Sequence, residues 1–594
     1  MVPAIWVEMK KIPVTLNGKI DRKALPDPNF EELSNEHYIA PRNEIEEELA
    51  NIWKDLLGLE KVGVYDNFFE LGGDSILTIQ VVSRAGRLGY NLQAKDLFLH
   101  QTIHKLSHIL TERKETESLA EQGVLTGNAG LLPIQKWFFS KEHKDVSHYN
   151  QSVILKLNKA VSEQELSIAM NKILEAHDAL RFKYVKQKLE WIQTYSDINS
   201  SIKVEDLSQL SKDDFEFSLN VLAESYQKSL DIEQGELVKW IFIKTPQEDD
   251  ANRFIMIVHH LAIDGVSWRI ILEDLDLMLR NINLNETDKE VKKTSSYRQW
   301  SDELMRLGQT DRIKNQFNYW QNVISFYSPL TFENVSITLI TAKDISRFSN
   351  FLSQTQTDHL LHSVSKAYNT EINDILLLAF AEVFTRFSKR NDLVIGLEGH
   401  GRELDGSSID ISRTVGWFTN LYPVHLNIGN ETNIGENIKS IKEQLRQVPA
   451  KGMGFGILKY LNELDELKGN DPWDIVFNYL GQLDNTGANS EWFKPSAESI
   501  GSDIGEEQII NEKISLNCYV HDGKLIVNWN YSKLHFEASI IKDFAEQFIS
   551  NLEMIISHCL ESQNQGNTSN TPSDFGLGSQ VSIDELDRFL NERL

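Results

Sequence analysis

The chain has 594 residues, 41% of them hydrophobic and 25% charged, with a net charge of −27. That length predicts about three to five domains, and the acidic balance argues against a protein that grips the nucleic-acid backbone, which needs a basic face. No apolar run reaches the ~20 residues of a membrane helix, no secretory pattern opens the chain, and two cysteines, Cys518 and Cys559, make neither a disulfide framework nor a thiolate metal cluster, which points to a reducing cytoplasm.

Residues 1–30 place Asn17-Gly18 between the β-prone runs VTL and KI, a hairpin signal. So short a segment holds no core alone, so the chain is expected to be a piece of a longer protein. Residues 38–112 read as a compact helical unit. Asn43 begins a helix with Glu46 as its capping-box partner; Ile45, Leu49, Ile52, Trp53 and Leu56 share one face, and Gly58 ends it. A loop, VGVYDNFFELGGD, leads to a second helix from Ser75 to about Leu88, and a third covers 103–112. Residues 113–130 are a polar linker. From 131 to 562 strand-like runs (SVILKL, FIMIVHH, DLVIGLEG, YPVHLNI, DIVFNYL, KLIVNWNY) alternate with helical ones at 162–177, 267–281 and 371–388. This stretch exceeds one ordinary core, so two lobes are expected, about 131–300 and 301–562. A second linker at 563–582 precedes a short amphipathic helix over 583–594, with a Ser582–Glu585 capping box and a stripe of Ile583, Leu586, Phe589 and Leu590.

Ser75 follows Leu-Gly-Gly-Asp and opens a helix. A serine there is commonly an N-cap. It also suits an attachment point, because glycines admit a large group and a helix N-terminus favours a phosphate. LGGDSI inside this helical unit, after VYDNFFE, resembles the carrier domain of nonribosomal peptide synthetases. The resemblance implies that Ser75 carries 4′-phosphopantetheine, installed by a phosphopantetheinyl transferase, with the amino acid held as a thioester. The segment 1–30 resembles the extreme end of that family's adenylation domain, and Lys19 in LNGKIDRKAL matches its carboxylate- and adenylate-contacting lysine. With the rest of that upstream adenylation domain missing, the chain is not expected to activate amino acids.

Residues 257–268, IVHHLAIDGVSW, end an apolar run that reads as a buried strand. Alternation sends His259 and His260 to opposite faces, which disfavours a metal pair: zinc ligands on a strand use alternate positions, and on a helix i and i+4. Asp264, in an Asp-Gly turn five residues before Arg269, reads as a turn or ion-pair residue that shapes the loop. The pattern HHxxxDGxSW resembles the signature of condensation and epimerization domains, related to chloramphenicol acetyltransferase, and implies that His260 is the functional histidine. The fold implied is a small four-helix carrier bundle followed by an α/β (α+β) two-lobed, V-shaped domain with a tunnel between its halves. PIQKWFF, HYNQSV, DILLLA, EGHGRE, RTVGWFTNLYP, PAKGMGFG and FNYLGQ, in order from 133 to 482, resemble epimerization-domain motifs.

The implied reaction removes the α-proton of an L-aminoacyl or peptidyl thioester and returns one to the other face. The epimers are nearly equal in energy, so an L/D mixture is expected. The thioester acidifies that proton; the protein must supply a base, a proton donor and stabilisation of the charge that develops. Neutral histidine titrates near working pH. Glu398 closes LVIGL before a glycine-rich loop, where partial burial raises a carboxyl toward the same range; its plain alternative is a strand-end glutamate paired with His400 or Arg402. By resemblance His260 and Glu398 face the substrate from two sides, Arg402 orients Glu398 or the arm, and Asn478 and Tyr479 donate to the developing oxygen charge or serve as strand-end polar groups. Trp417 and Phe418 read as core. Residues 583–594 resemble donor-side communication segments, which implies hand-over to a downstream synthetase subunit. Two rivals stand beside epimerization. One is a condensation domain using the same His260, against which EGHGRE and the lack of a following acceptor module argue; the other is a non-catalytic carrier and docking scaffold.

Overall fold

A computed structural model describes residues 38–112, 120–577 and parts of 581–589, without 142, 189, 199–200, 287–291, 331–338, 404–408, 430–432, 484–489 and 567–568. The 1–30 segment with Lys19, residues 113–119 of the first linker, and Leu590 with the rest of the terminal helix lie outside the described residues. Of that helix's start, the Ser582–Glu585 capping box is formed, with Glu585 N donating to Ser582 Oγ and Ser582 N to the Glu585 carboxylate.

Four helices make the first unit: α1 (Glu44–Leu57), α2 (Ser75–Arg87), α3 (Ala94–Leu99) and α4 (Ile103–Glu112). Asn43 caps α1 by accepting from Glu46 N at 2.9 Å, and Gly58 ends it at φ 67°. The reciprocal half of the expected capping box is shifted by one residue: the Glu46 carboxylate accepts from the backbone N–H of Arg42 and from its guanidinium. Leu49, Ile52, Trp53 and Leu56 meet Leu77, Val81, Leu97 and Leu106 in one core, each fully buried aliphatic side chain contributing roughly 1.5–3 kcal/mol.

The larger unit holds two sheets of its own in each half of the chain. In the first half run β1 (Gly127–Ala129), β2 (Asn150–Asn158), β3 (Phe182–Gln187), β4 (Glu190–Tyr195), β5 (Ile202–Asp206), β6 (Val238–Lys244) and β7 (Ala251–His259). In the second run β8 (Ile340–Thr341), β9 (Ile345–Phe351), β10 (Asp392–Gly399), β11 (Asn420–Asn427), β12 (Ile475–Gln482), β13 (Phe493–Pro495), β14 (Ile509–Ile510), β15 (Ile514–His521) and β16 (Lys524–Ser532). One sheet has the order β13-β2-β7-β6-β5 and the other β11-β10-β12-β15-β16-β9; β1-β4-β3 and β14-β8 are smaller. β13 therefore crosses from the second half to pair with β2 of the first. The expected helices form as α5 (Glu163–Ala176), α6 (Gly265–Asn283) and α7 (Ile372–Ser388), and α8 (Ala538–Asn564) lies against α7. No described helix is long and apolar enough to cross a membrane. Both cysteines are free and buried.

Candidate active site and carrier docking

β7 runs out after seven successive buried residues, Arg253 to His259, and His260 begins a 3₁₀ turn. The two histidines engage different partners. His259 accepts from Leu261 N at Nδ1 and sits 2.8 Å from the Val146 carbonyl at Nε2, buried completely, and burial holds its pKa down at about 3. It is a structural histidine. His260 Nδ1 lies 2.7 Å from the Ile263 carbonyl and Nε2 lies 3.1 Å from Gln151 Nε2. Gln151 is fixed the right way round because its Oε1 accepts from Trp268 Nε1 at 2.9 Å. The tautomer that satisfies both contacts carries its proton on Nδ1 and leaves a lone pair on Nε2. Burial lowers the pKa of His260 from 6.5, so the ring is neutral at pH 7. Its ring stacks on Tyr149, at 5.4 Å, and on Trp417, at 4.2 Å between ring centroids. Trp417 and Phe418 are buried in the core, as read from sequence, and Trp417 is at the same time a wall of the site.

Glu398 ends β10 opposite Leu421 of β11 and beside β12. Its Oε2 accepts from Asn478 Nδ2 at 2.7 Å. Burial, and then the Glu512 carboxylate, push its pKa up to about 7. Burial, and then the Glu512 and Glu398 carboxylates, hold the Tyr149 phenol well above its usual range, and the Tyr149 ring stacks on His260.

The structure gives the other expected site residues these partners. Arg402 does not orient Glu398: its Nη2 donates to both Asp264 oxygens at 2.9 and 3.0 Å, and its Nη1 to the carbonyls of Ile411 and Thr414. Asp264 does not pair with Arg269 either. Besides Arg402 it accepts from Ser267 N and Oγ, capping α6, and from Phe418 N. This buried pair ties the start of α6 to the loop before β11. Asn478 and Tyr479 do not act together, because consecutive strand residues face opposite ways. Asn478 holds Glu398, whereas the Tyr479 hydroxyl is buried without a partner near Asp74 and Arg269. Gln151, Trp268 and Tyr149 were missed as site residues although they stand within HYNQSV and HHxxxDGxSW; the motif marks them, but only coordinates reveal that they set a tautomer.

The carrier unit docks by α2. Arg84 and Arg87 pair with Glu273 and Asp274 of α6, Arg413 donates to Ser83 Oγ at 2.8 Å, and Gln482 Nε2 donates to the Gly72 carbonyl at 2.9 Å. Asp274 also takes Arg413 and His177; burial alone would push its pKa up, but the Arg413 charge and the His177 hydrogen bond draw it down to about 2. Ser75 is not an N-cap. Asp74 is, accepting from Ile76 N and Leu77 N with Oδ1, and the Ser75 hydroxyl is the first helical side chain, without a hydrogen bond to any described residue. Arg269 Nε and Tyr479 Oη are buried donors without a partner, and Asp74 Oδ2, of the residue before Ser75, is a buried acceptor without one; the two donors suit a phosphate-bearing group.

Comparison with known proteins places these features. Residues 126–574 match the condensation domain family and residues 47–110 the phosphopantetheine attachment site. The chain is 39% identical over 99% of its length to surfactin synthase subunit 2 of Bacillus subtilis and 38% identical over 98% to a linear gramicidin synthase of Brevibacillus parabrevis, yet spans only 16% and 12% of those proteins. It is 35% identical to gramicidin S synthase 1 of Brevibacillus brevis, covering 54% of it. The crystal structure of the epimerization domain from the third module of tyrocidine synthetase B is 31% identical, with a TM-score of 0.69, covering 75% of this chain and 99% of that one. The condensation domain of a Monacolin K polyketide synthase shares the fold, with a TM-score of 0.59 at 14% identity. The chain therefore belongs to the condensation-domain family, in the form that nonribosomal peptide synthetases join to a 4′-phosphopantetheine carrier domain.

Proposed function

We propose that the chain epimerises an L-aminoacyl or peptidyl thioester held on Ser75, giving an L/D mixture, within cytoplasmic nonribosomal peptide synthesis. The observation that carries this reading is the pairing of a neutral His260, lone pair on Nε2, with a Glu398 carboxyl whose pKa is about 7. One can accept a proton while the other gives one, both near neutral pH, which is what exchange at a single carbon between two faces requires. Asn478 fixes the carboxyl and the Gln151–Trp268 pair fixes the imidazole. Phosphopantetheine, when attached, would supply a flexible arm and the thiol that binds the acyl group as a thioester, whose carbonyl acidifies the α-proton. The likeness to the tyrocidine epimerization domain supports the same reading. The partners are a phosphopantetheinyl transferase, an upstream adenylation domain and, through 583–594, a downstream synthetase subunit.

The test loads an L-aminoacyl-pantetheine onto the apo protein and follows α-proton exchange in D₂O with product chirality. His260→Ala and Glu398→Gln should each slow exchange by roughly 10²–10⁴-fold. Peptide-bond formation without exchange would establish condensation instead, and neither activity would leave a docking scaffold.

A further inference from the structure

Arg269 is 6% exposed, and its guanidinium donates only to main-chain carbonyls: Gly265 at 3.4 Å, Leu480 at 2.9 Å and Gln482 at 3.3 Å. Its Nε has no partner, and no described carboxylate forms an ion pair with it. Asp264 is taken by Arg402, and Glu273 by Arg84 and Arg413. Asp74 faces it from the carrier: its Oδ1 accepts from the backbone of α2, and its Oδ2 is buried without a hydrogen-bond partner. A buried cation left without a bonded anion is costly. Carbonyl dipoles orient the fork but do not neutralise it.

The guanidinium lies beside the two residues that flank the carrier serine. A Cβ on Gly481 would lie 3.6 Å from Arg269 Nη2, 3.1 Å from Asp74 Oδ2 and 3.2 Å from Ile76 Cδ1. Arg269 and the two neighbours of Ser75 thus converge on one point, and Gly481, at φ +75°, leaves it clear. The Tyr479 hydroxyl is a second buried donor without an acceptor.

From this geometry we propose that Arg269, with Tyr479, binds the phosphodiester that joins the pantetheine arm to Ser75, and so holds the carrier docked in its loaded form. Arginine's planar fork suits a phosphate, and a charge-assisted contact there locks the arm's first atoms while its far end stays free to reach His260. The proposal rests on Ser75 being the attachment serine and not on which reaction follows.

The experiment compares the apo chain with the chain converted by a phosphopantetheinyl transferase and coenzyme A, without any aminoacyl group. Amide hydrogen exchange is read over 74–88 and 476–483. Conversion should slow exchange in both segments by about tenfold in the wild type. In Arg269→Gln, with apo circular dichroism like the wild type, the difference should fall below about twofold; Arg269→Lys, which keeps the charge but loses the fork, should retain part of it. If Arg269→Gln does not fold, an undiminished difference in Arg269→Lys overturns the proposal, as does an unchanged difference in a folded Arg269→Gln or no difference in the wild type. Failure of Ser75 to gain the mass of the arm would instead remove the attachment reading, and the proposal with it.

Discussion

Two buried arginines flank the start of α6, and their surroundings differ in kind. Arg402 reaches Asp264 across the two halves of the large unit, and both Asp264 oxygens are held by other groups as well. Arg269, on the helix itself, hydrogen-bonds to carbonyls alone. The first arrangement is a closed ion pair, with both charges buried together. The second is unfinished. Equal burial therefore says little about a charged residue until its partners are counted.

The sharpest way to break this contrast is to remove one partner. Asp264→Ala strands Arg402 and should cost about 3–5 kcal/mol of unfolding free energy, read from urea titration. Arg269→Gln in the apo protein should change stability by less than about 1.5 kcal/mol, because no ion pair is lost. Equal losses would erase the distinction.

Glu398 is a smaller, pH-dependent case of the same principle. Its folded pKa, about 7, lies above that of an unfolded glutamate, near 4.5. The folded state therefore favours the protonated form, and stability is lost as pH rises through that window. Glu398→Gln should be level with the wild type at pH 4 and more stable by about 3 kcal/mol at pH 8. A gap that does not widen with pH would contradict the raised pKa.

The smallest effect belongs to the docking contacts. Arg87 is partly exposed and shares Asp274 with Arg413 and His177. Arg87→Ala should loosen the carrier by about 0.5–1 kcal/mol, visible as roughly twofold to fivefold faster amide exchange along α2, with unchanged global stability.

Much of this was written in local pattern. DLVIGLEG forms β10 residue for residue, α7 spans all but the first residue of its predicted range, and HHxxxDGxSW marked His260. Roles that depend on distant partners were not. Asp264 was legible as an ion-pair residue, but spacing suggested Arg269, five positions away, where the fold supplies Arg402, 138 positions away. Period-two alternation, applied correctly to the histidines, would also have separated Asn478 from Tyr479. β15 escaped notice because its buried alternation, Ile514, Leu516, Cys518 and Val520, is interleaved with Asn517 and Tyr519 rather than forming an apolar run. The Ser75 hydroxyl looked like a cap because a helix followed it; Asp74, one residue earlier, does that work and leaves the serine free.

The crossing of β13 onto β2 has a consequence for anyone who would recombine such units. The first half of the large unit does not own all of its sheet: its edge strand β13 comes from the second half, which also supplies Ile504 to the bridge with Tyr149. A splice placed between the halves would leave the first product with an incomplete sheet and an exposed edge that invites pairing with another chain. Exchange of this unit between assembly lines must keep 126–574 whole, and, because α2 is ion-paired to α6, must carry its own carrier along or rebuild that charge match.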